Sequence, residues 1–114
     1  MLESEKWYQG IRGPAGCGVL VDGAPLPVRL DLCYHSPSGF EWGYEGSGPS
    51  QLALAILADF LDDDERALRL YRRFRSQVVA RFPHDGWDVW GGDLACWIRW
   101  AEHQEVSGTM SEGL

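Results

Sequence analysis

A chain of 114 residues and 12.8 kDa has room for one hydrophobic core, so a single domain is expected over residues 1–105, with a frayed tail over 106–114. Apolar and aromatic residues make up 45% of the chain and charged ones 24%, which excludes disorder by composition. Seventeen acidic residues against ten basic ones give a net charge of -7, arguing against a protein that coats nucleic acid or an anionic membrane.

The N-terminal half is rich in chain-turning residues: residues 1–50 hold nine of the fourteen glycines and five of the six prolines. Between them lie short β-type runs, Lys6–Arg12, Gly18–Val21, Pro27–Leu32 and Phe40–Tyr44. Val21-Asp22-Gly23-Ala24 suits a tight hairpin, and His35-Ser36-Pro37-Ser38-Gly39 gives a second reversal. A meander of three to four antiparallel strands is expected.

After Tyr44 the period changes from two to about 3.6. A helix is expected from Pro49 to Leu61, with Leu52, Ile56 and Phe60 at helical spacing. Asp62-Asp63-Asp64-Glu65 supplies a cap and an acidic first turn for a second helix from Asp64 to Arg81, ending before Pro83. A third is expected from Gly92 to Gln104, with Leu94, Trp97, Ile98 and Ala101 facing inward. The fold class is therefore α+β, a small antiparallel sheet packed against two to three helices. The run from Leu52 to Leu61 is broken by Asp59 and falls short of the roughly 20 residues needed to span a bilayer, so no membrane role is expected.

The segment Gly39-Phe40-Glu41-Trp42-Gly43-Tyr44-Glu45-Gly46-Ser47-Gly48-Pro49 runs through a glycine-rich loop into a helix start. Backbone N–H groups there can bind an anion, which makes Glu41, Tyr44, Gly46, Ser47, Gly48 and Ser50 candidate ligand-binding residues. The loop has no Gly-Lys-Ser/Thr ending, and Glu41 and Glu45 repel phosphate, so the simpler role for its glycines is a sharp turn. Glu41 alternates with Phe40 and Trp42 and needs a partner if half buried; Arg29 or the start of the first helix is expected to supply it.

Residues 39–57 of this stretch resemble the signature of an uncharacterised family of small bacterial and bacteriophage domains, GFEWGYxGSGPxxLALxIL. The resemblance extends over roughly residues 30–102, through the helix around Tyr71–Phe82 and the one holding Ile98 and Trp100. Glu45 departs from it, standing where the family commonly has a glycine. The resemblance implies a fold and a phage or mobile-element setting, and no reaction.

Six Arg and four acids fall within residues 62–81, leaving four basic and thirteen acidic residues elsewhere. Pairs at i,i+4 spacing, Asp62 with Arg66 and Glu65 with Arg69, account for part of the run; Arg69, Arg72 and Arg73 are candidate phosphate contacts, the one route to nucleic acid through the Arg66–Arg75 face. Of the six tryptophans, Trp90 and Trp97 share a helical stripe with Leu94 and Ala101 and are expected in the core. Trp87, in an expected loop, and Trp100 are the candidates for exposure, and with Glu45, Asp85 and Asp88 they form the candidate partner-binding set.

Cys17, Cys33 and Cys96 are odd in number and irregular in spacing, and residues 1–12 carry Glu3, Glu5, Lys6 and Arg12 rather than a secretory pattern, so a reducing cytoplasm is expected. Cys33 and His35 would share one face of a strand, but no second pair at ligand spacing follows, so neither metal nor cofactor is expected. No catalytic constellation is present in sequence. The leading expectation is a small acidic interaction module that docks on a basic surface of another protein, such as a host nucleic-acid-binding or defence protein. The alternative is a small-ligand or nucleotide site at residues 46–50, with enzymatic chemistry from Glu41, His35 or Cys33.

Overall fold

The computed structural model describes residues 5–37 and 39–113, with side chains through Val106. A four-stranded antiparallel sheet packs on three helices, as the α+β expectation requires. Strands β1 (Trp7–Gly13), β2 (Gly16–Val21) and β3 (Ala24–Pro25) come first; α1 (Ser47–Leu61), α2 (Asp64–Gln77), a 3-10 turn (Val79–Arg81), β4 (Gly86–Trp90) and α3 (Gly91–Gly113) follow. The sheet order is β3-β2-β1-β4.

The Asp22-Gly23 turn forms as expected. Both residues take positive φ, 50° and 85°, the backbone that joins two twisted strands through two residues. Along β1 the even residues Tyr8 and Gly10 are buried, and Trp7, Gln9 and Ile11 lie on the opposite face.

Two expected strands are absent, and two others, the short β3 and β4, take their place. Residues 27–32 do not join the sheet; Arg29 turns through φ 60° and Leu32 N–H bonds back to Arg29 O. Their backbone is served instead by the fully buried Gln51 of α1. Its Nε2 donates to Val28 O at 2.8 Å, and its Oε1 accepts from His35 N–H and Ser36 N–H at 2.8 and 3.1 Å. One amide side chain thus does for the loop what a neighbouring strand would have done. Residues 40–44 are also loop, turned at Gly43 with φ 90°. The strand beside β1 is β4, expected as a loop and a helix start. It is antiparallel, with Trp7 opposite Trp90 and Gly10 opposite Trp87.

Helix α1 carries no charge from Ser47 to Ala58 and is buried on every side, as a central helix must be. Its first charge, Asp59, is tied to β1: it accepts from Tyr8 Oη at 2.6 Å and from Lys6 Nζ at 3.1 Å. Asp62 ends α1 in the left-handed region, and Asp63 caps α2 by accepting Arg66 N–H at 3.2 Å. Ala67, Leu70, Tyr71 and Phe74 of α2 pack into the core. The helix stops at Gln77 rather than Arg81, because Val79 O accepts Gly43 N–H and Phe82 N–H, and the chain tightens into i→i+3 bonds. In α3, Leu94, Ile98 and Ala101 are buried as expected. The helix runs past Gln104 to Gly113, and the side chains of 107–114 lie outside the described residues.

Candidate functional site

Three places gather the side chains singled out in the sequence. The first is the Gly-rich loop. Glu41 meets neither Arg29 nor the helix start; Arg29 is held by Asp31 and Asp64. Its partner is Arg12 of β1, which donates from both Nη atoms to the two carboxylate oxygens at 3.2 and 2.9 Å. Cys17 Sγ donates to Oε2 at 3.3 Å, and Trp42 N–H to Oε1 at 3.3 Å. Arg12 also lies over the Trp42 ring and donates from Nε to His84 O at 2.7 Å. The guanidinium first, helped by the Cys17 and Trp42 donors, holds Glu41 down to a pKa of about 2. Burial, then the neighbouring carboxylate, pushes the Cys17 thiol up, so it stays protonated.

Glu41, Tyr44, Ser47 and Gly48 line one cavity of about 430 Å³ together with Arg12 and Cys17, so the structure brings four of the six candidate ligand residues together. Gly48 is there because a Cβ on it would come within 2.7 Å of Glu41 Cβ. Ser50 is turned to other work, donating to Gly46 O at 2.7 Å and accepting from Arg75 at 3.2 Å. Both Glu41 oxygens are engaged, so this carboxylate fastens the loop to the sheet. Glu45, offered as a partner contact, is bound to α2 through Ser76 at 2.9 Å and Arg75 at 3.5 Å.

The second place is the arginine face of α2. The i,i+4 pairs do not carry it: Arg66 grips Glu102 of α3 with two 2.9 Å bonds, and Arg69 reaches Glu102 and Glu105. Arg73 donates to Ala101 O at 3.3 Å, and Arg72 lies over the Tyr71 ring. Of the three arginines expected to meet phosphate, Arg69 is therefore offset by carboxylates of α3, which weakens any counterion-release contribution. Beside them His35 Nε2 meets Tyr71 Oη at 2.8 Å, and Cys33 and His35 sit in a loop rather than on one face of a strand. Burial, then Arg72 and Arg75, lowers the His35 pKa. Among the described residues no cluster of three His, Cys, Asp or Glu could hold a metal ion.

The third place is the outer face of the sheet, which sequence reasoning missed. Trp7 and Trp90 are direct cross-strand partners and stack with centroids 5.2 Å apart and planes 7° from parallel. Trp90 is 50% exposed rather than core, and Ile11 on the same face is also 50% exposed. Acids surround the pair: Asp88 Oδ2 accepts from Trp7 Nε1 at 3.3 Å, and Asp22 Oδ1 accepts from Trp7 N–H at 2.9 Å. Leu20 lies across from Gln9 on that face. The alternation Trp87-Asp88-Val89-Trp90 was the signal; it is as good a strand pattern as any in the chain.

Trp87 points the other way. Its ring stacks on Phe82 at 4.2 Å and meets Trp42 edge-on at 5.6 Å, so it belongs to the packed interior rather than to a docking surface. Trp100 is 46% exposed, as expected, and Trp97 is half buried against Phe74. Asp85 and Asp88 are exposed. No helix is long and apolar enough to cross a membrane among the described residues.

Neither the curated proteins nor the solved structures contain a match to this chain. Over residues 8–100, which take in β1 after Trp7, the Gly-rich loop, α1, α2 and β4, it matches the model of a family of unknown function, DUF6166, and the chain belongs to that family.

Proposed function

We propose that this chain is a protein-interaction module whose outer sheet face docks on a basic surface of another protein. The carrying observation is the half-exposed Trp90 stacked on the partly buried Trp7, set beside Ile11 and rimmed by Asp22 and Asp88. Large rigid aromatics ringed by charge form the composition of a binding hot spot, and acids around them favour a cationic partner through steering and cation–π contact. Three free cysteines support a reducing, cytoplasmic setting. The loop motif and the acidic charge fit a phage or mobile-element inhibitor that covers the basic surface of a host nucleic-acid-binding or defence protein. The test is affinity capture from a bacterial extract with wild type, Trp90→Ala and Asp88→Lys baits at low and high salt. A partner held by wild type, released by salt and lost from both variants supports the reading. Equal recovery on all three baits overturns it.

A further inference from the structure

Resting on that reading, we infer that the partner is met by strand addition: an extended, Lys- or Arg-bearing segment pairs with the free edge of β4. Among the described residues the sheet order leaves β4 with one neighbour, β1. The phase of the ladder says which groups are free. Gly91 N–H bonds to Lys6 O at 2.7 Å and Asp22 N–H to Trp7 O at 2.9 Å, so even residues of β1 face β4 and odd ones face β2. In β4, then, Trp87 and Val89 turn their backbone groups to β1. The N–H and C=O of Asp88 and the N–H of Trp90 point away from the sheet.

The opposite edge, β3, is two residues long and ends in Pro25, which has no N–H. Edge strands are usually blunted by Lys, Pro or a bulge; β4 has none of these, and its register with β1 is unbroken from Trp7–Trp90 to Ile11–Gly86. The side chains at this edge then choose the occupant. Asp88 and Trp90 are both exposed and adjacent to the added strand, with Asp85 and Asp93 exposed at either end of β4. A cation beside Asp88 pairs across the strands and lies next to the Trp7–Trp90 stack. A second copy of this chain would bring Asp88 toward Asp88, and the like charges disfavour it. On the inner face the half-buried Val89 suits an apolar residue, so the expected segment alternates basic and apolar.

The probe is a peptide of about six residues alternating Arg and Val, compared with its backbone N-methylated form and with a Glu-for-Arg form. Expected is binding of the Arg/Val peptide at low salt with slowed amide exchange at Asp88 and Trp90, weakened about tenfold or more by N-methylation and abolished by Glu. Asp88→Pro removes the outward N–H at a position where an edge strand accepts proline, and should weaken binding well beyond Asp88→Ala. If Asp88→Pro fails to fold, the N-methylated peptide still decides. Equal binding of the methylated peptide, or unchanged exchange at Asp88 and Trp90, overturns strand addition. Self-association of wild type that Asp88→Pro abolishes overturns it in favour of a second copy. If no cationic strand binds while captured protein still depends on Trp90, strand addition fails and the docking face stands; if capture ignores Trp90, the docking face itself fails.

Discussion

Replacing Gly10 by Ala sets two rules against each other. Gly10 lies in the interior of β1 with an ordinary strand backbone, where alanine normally stabilises by about 0.5–1 kcal/mol by restricting the unfolded chain. Packing says the opposite, because a Cβ on Gly10 would stand 2.1 Å from Trp87 Nε1 and 2.3 Å from Cε2. The indole is rigid and cannot retreat, being stacked on Phe82 at 4.2 Å and capped by Trp42 at 5.6 Å. Overpacking of this kind costs about 1–3 kcal/mol, and loosening two aromatic pairs adds about 0.5–1.5 kcal/mol each. The net expectation is a loss of about 3 kcal/mol, a fall in Tm of about 12 °C for a domain of this size. Urea unfolding followed by tryptophan fluorescence measures it. A double-mutant cycle isolates the cause: in a Trp87→Ala background the clash is gone, and Gly10→Ala should become neutral or stabilising. A Gly10→Ala protein as stable as wild type, or one equally destabilised in both backgrounds, refutes the packing account of β1 against β4.

Glu41 predicts an acid limb of stability. Its pKa is depressed in the fold, so its contribution is complete above the unfolded value of about 4.5 and is lost as pH falls toward about 2. Glu41→Gln should flatten the urea midpoint across that window, and an unchanged slope would remove Arg12–Glu41 as its source. Gln51→Leu keeps the volume but leaves His35 N–H, Ser36 N–H and Val28 O without their partner, at a cost of about 3 kcal/mol or more. Calorimetry reads the total, and amide exchange should quicken first at His35 and Ser36.

Local signals were legible wherever the cause was local. The Asp22-Gly23 turn, the Asp63 cap and the apolar run of α1 each rest on a few neighbouring residues, and each forms as the sequence predicts. What failed depends on partners far along the chain. Residues 27–32 have strand composition, yet become a loop because Gln51 supplies their hydrogen bonds from more than 20 residues away. Trp90 fits a helical stripe with Leu94 and Trp97 as well as it fits a strand; only β1, some 80 residues earlier, decides between the two periods by offering Trp7 as its partner. Glu41 reads as a carboxylate in need of a cation, but Arg12 lies 29 residues before it, and nothing local to Glu41 points to that strand rather than to the nearer Arg29 or the helix start.

The same long-range pairing redistributes the charge. Composition suggested a basic helix set in an acidic body, but Glu102 and Glu105 cross to Arg66 and Arg69 and so neutralise much of the α2 face. Glu41 is matched by Arg12 and Asp59 by Lys6. Each such pair removes an acid from the surplus that a partner would sense. Among the described residues Asp22 and Asp88 accept side-chain hydrogen bonds from N–H groups of Trp7, which are neutral and do not offset an acid. Asp22 and Asp88 thus place unpaired acidity on the sheet side, beside Trp7 and the exposed Trp90. A cation arriving there gains from the field and from the aromatic faces at once, with the first gain screened by salt and the second largely not. Binding at this face should accordingly weaken with salt to a plateau set by Trp7 and Trp90. Asp88→Asn should lower the low-salt affinity toward that plateau, whereas Trp90→Ala should lower the plateau itself.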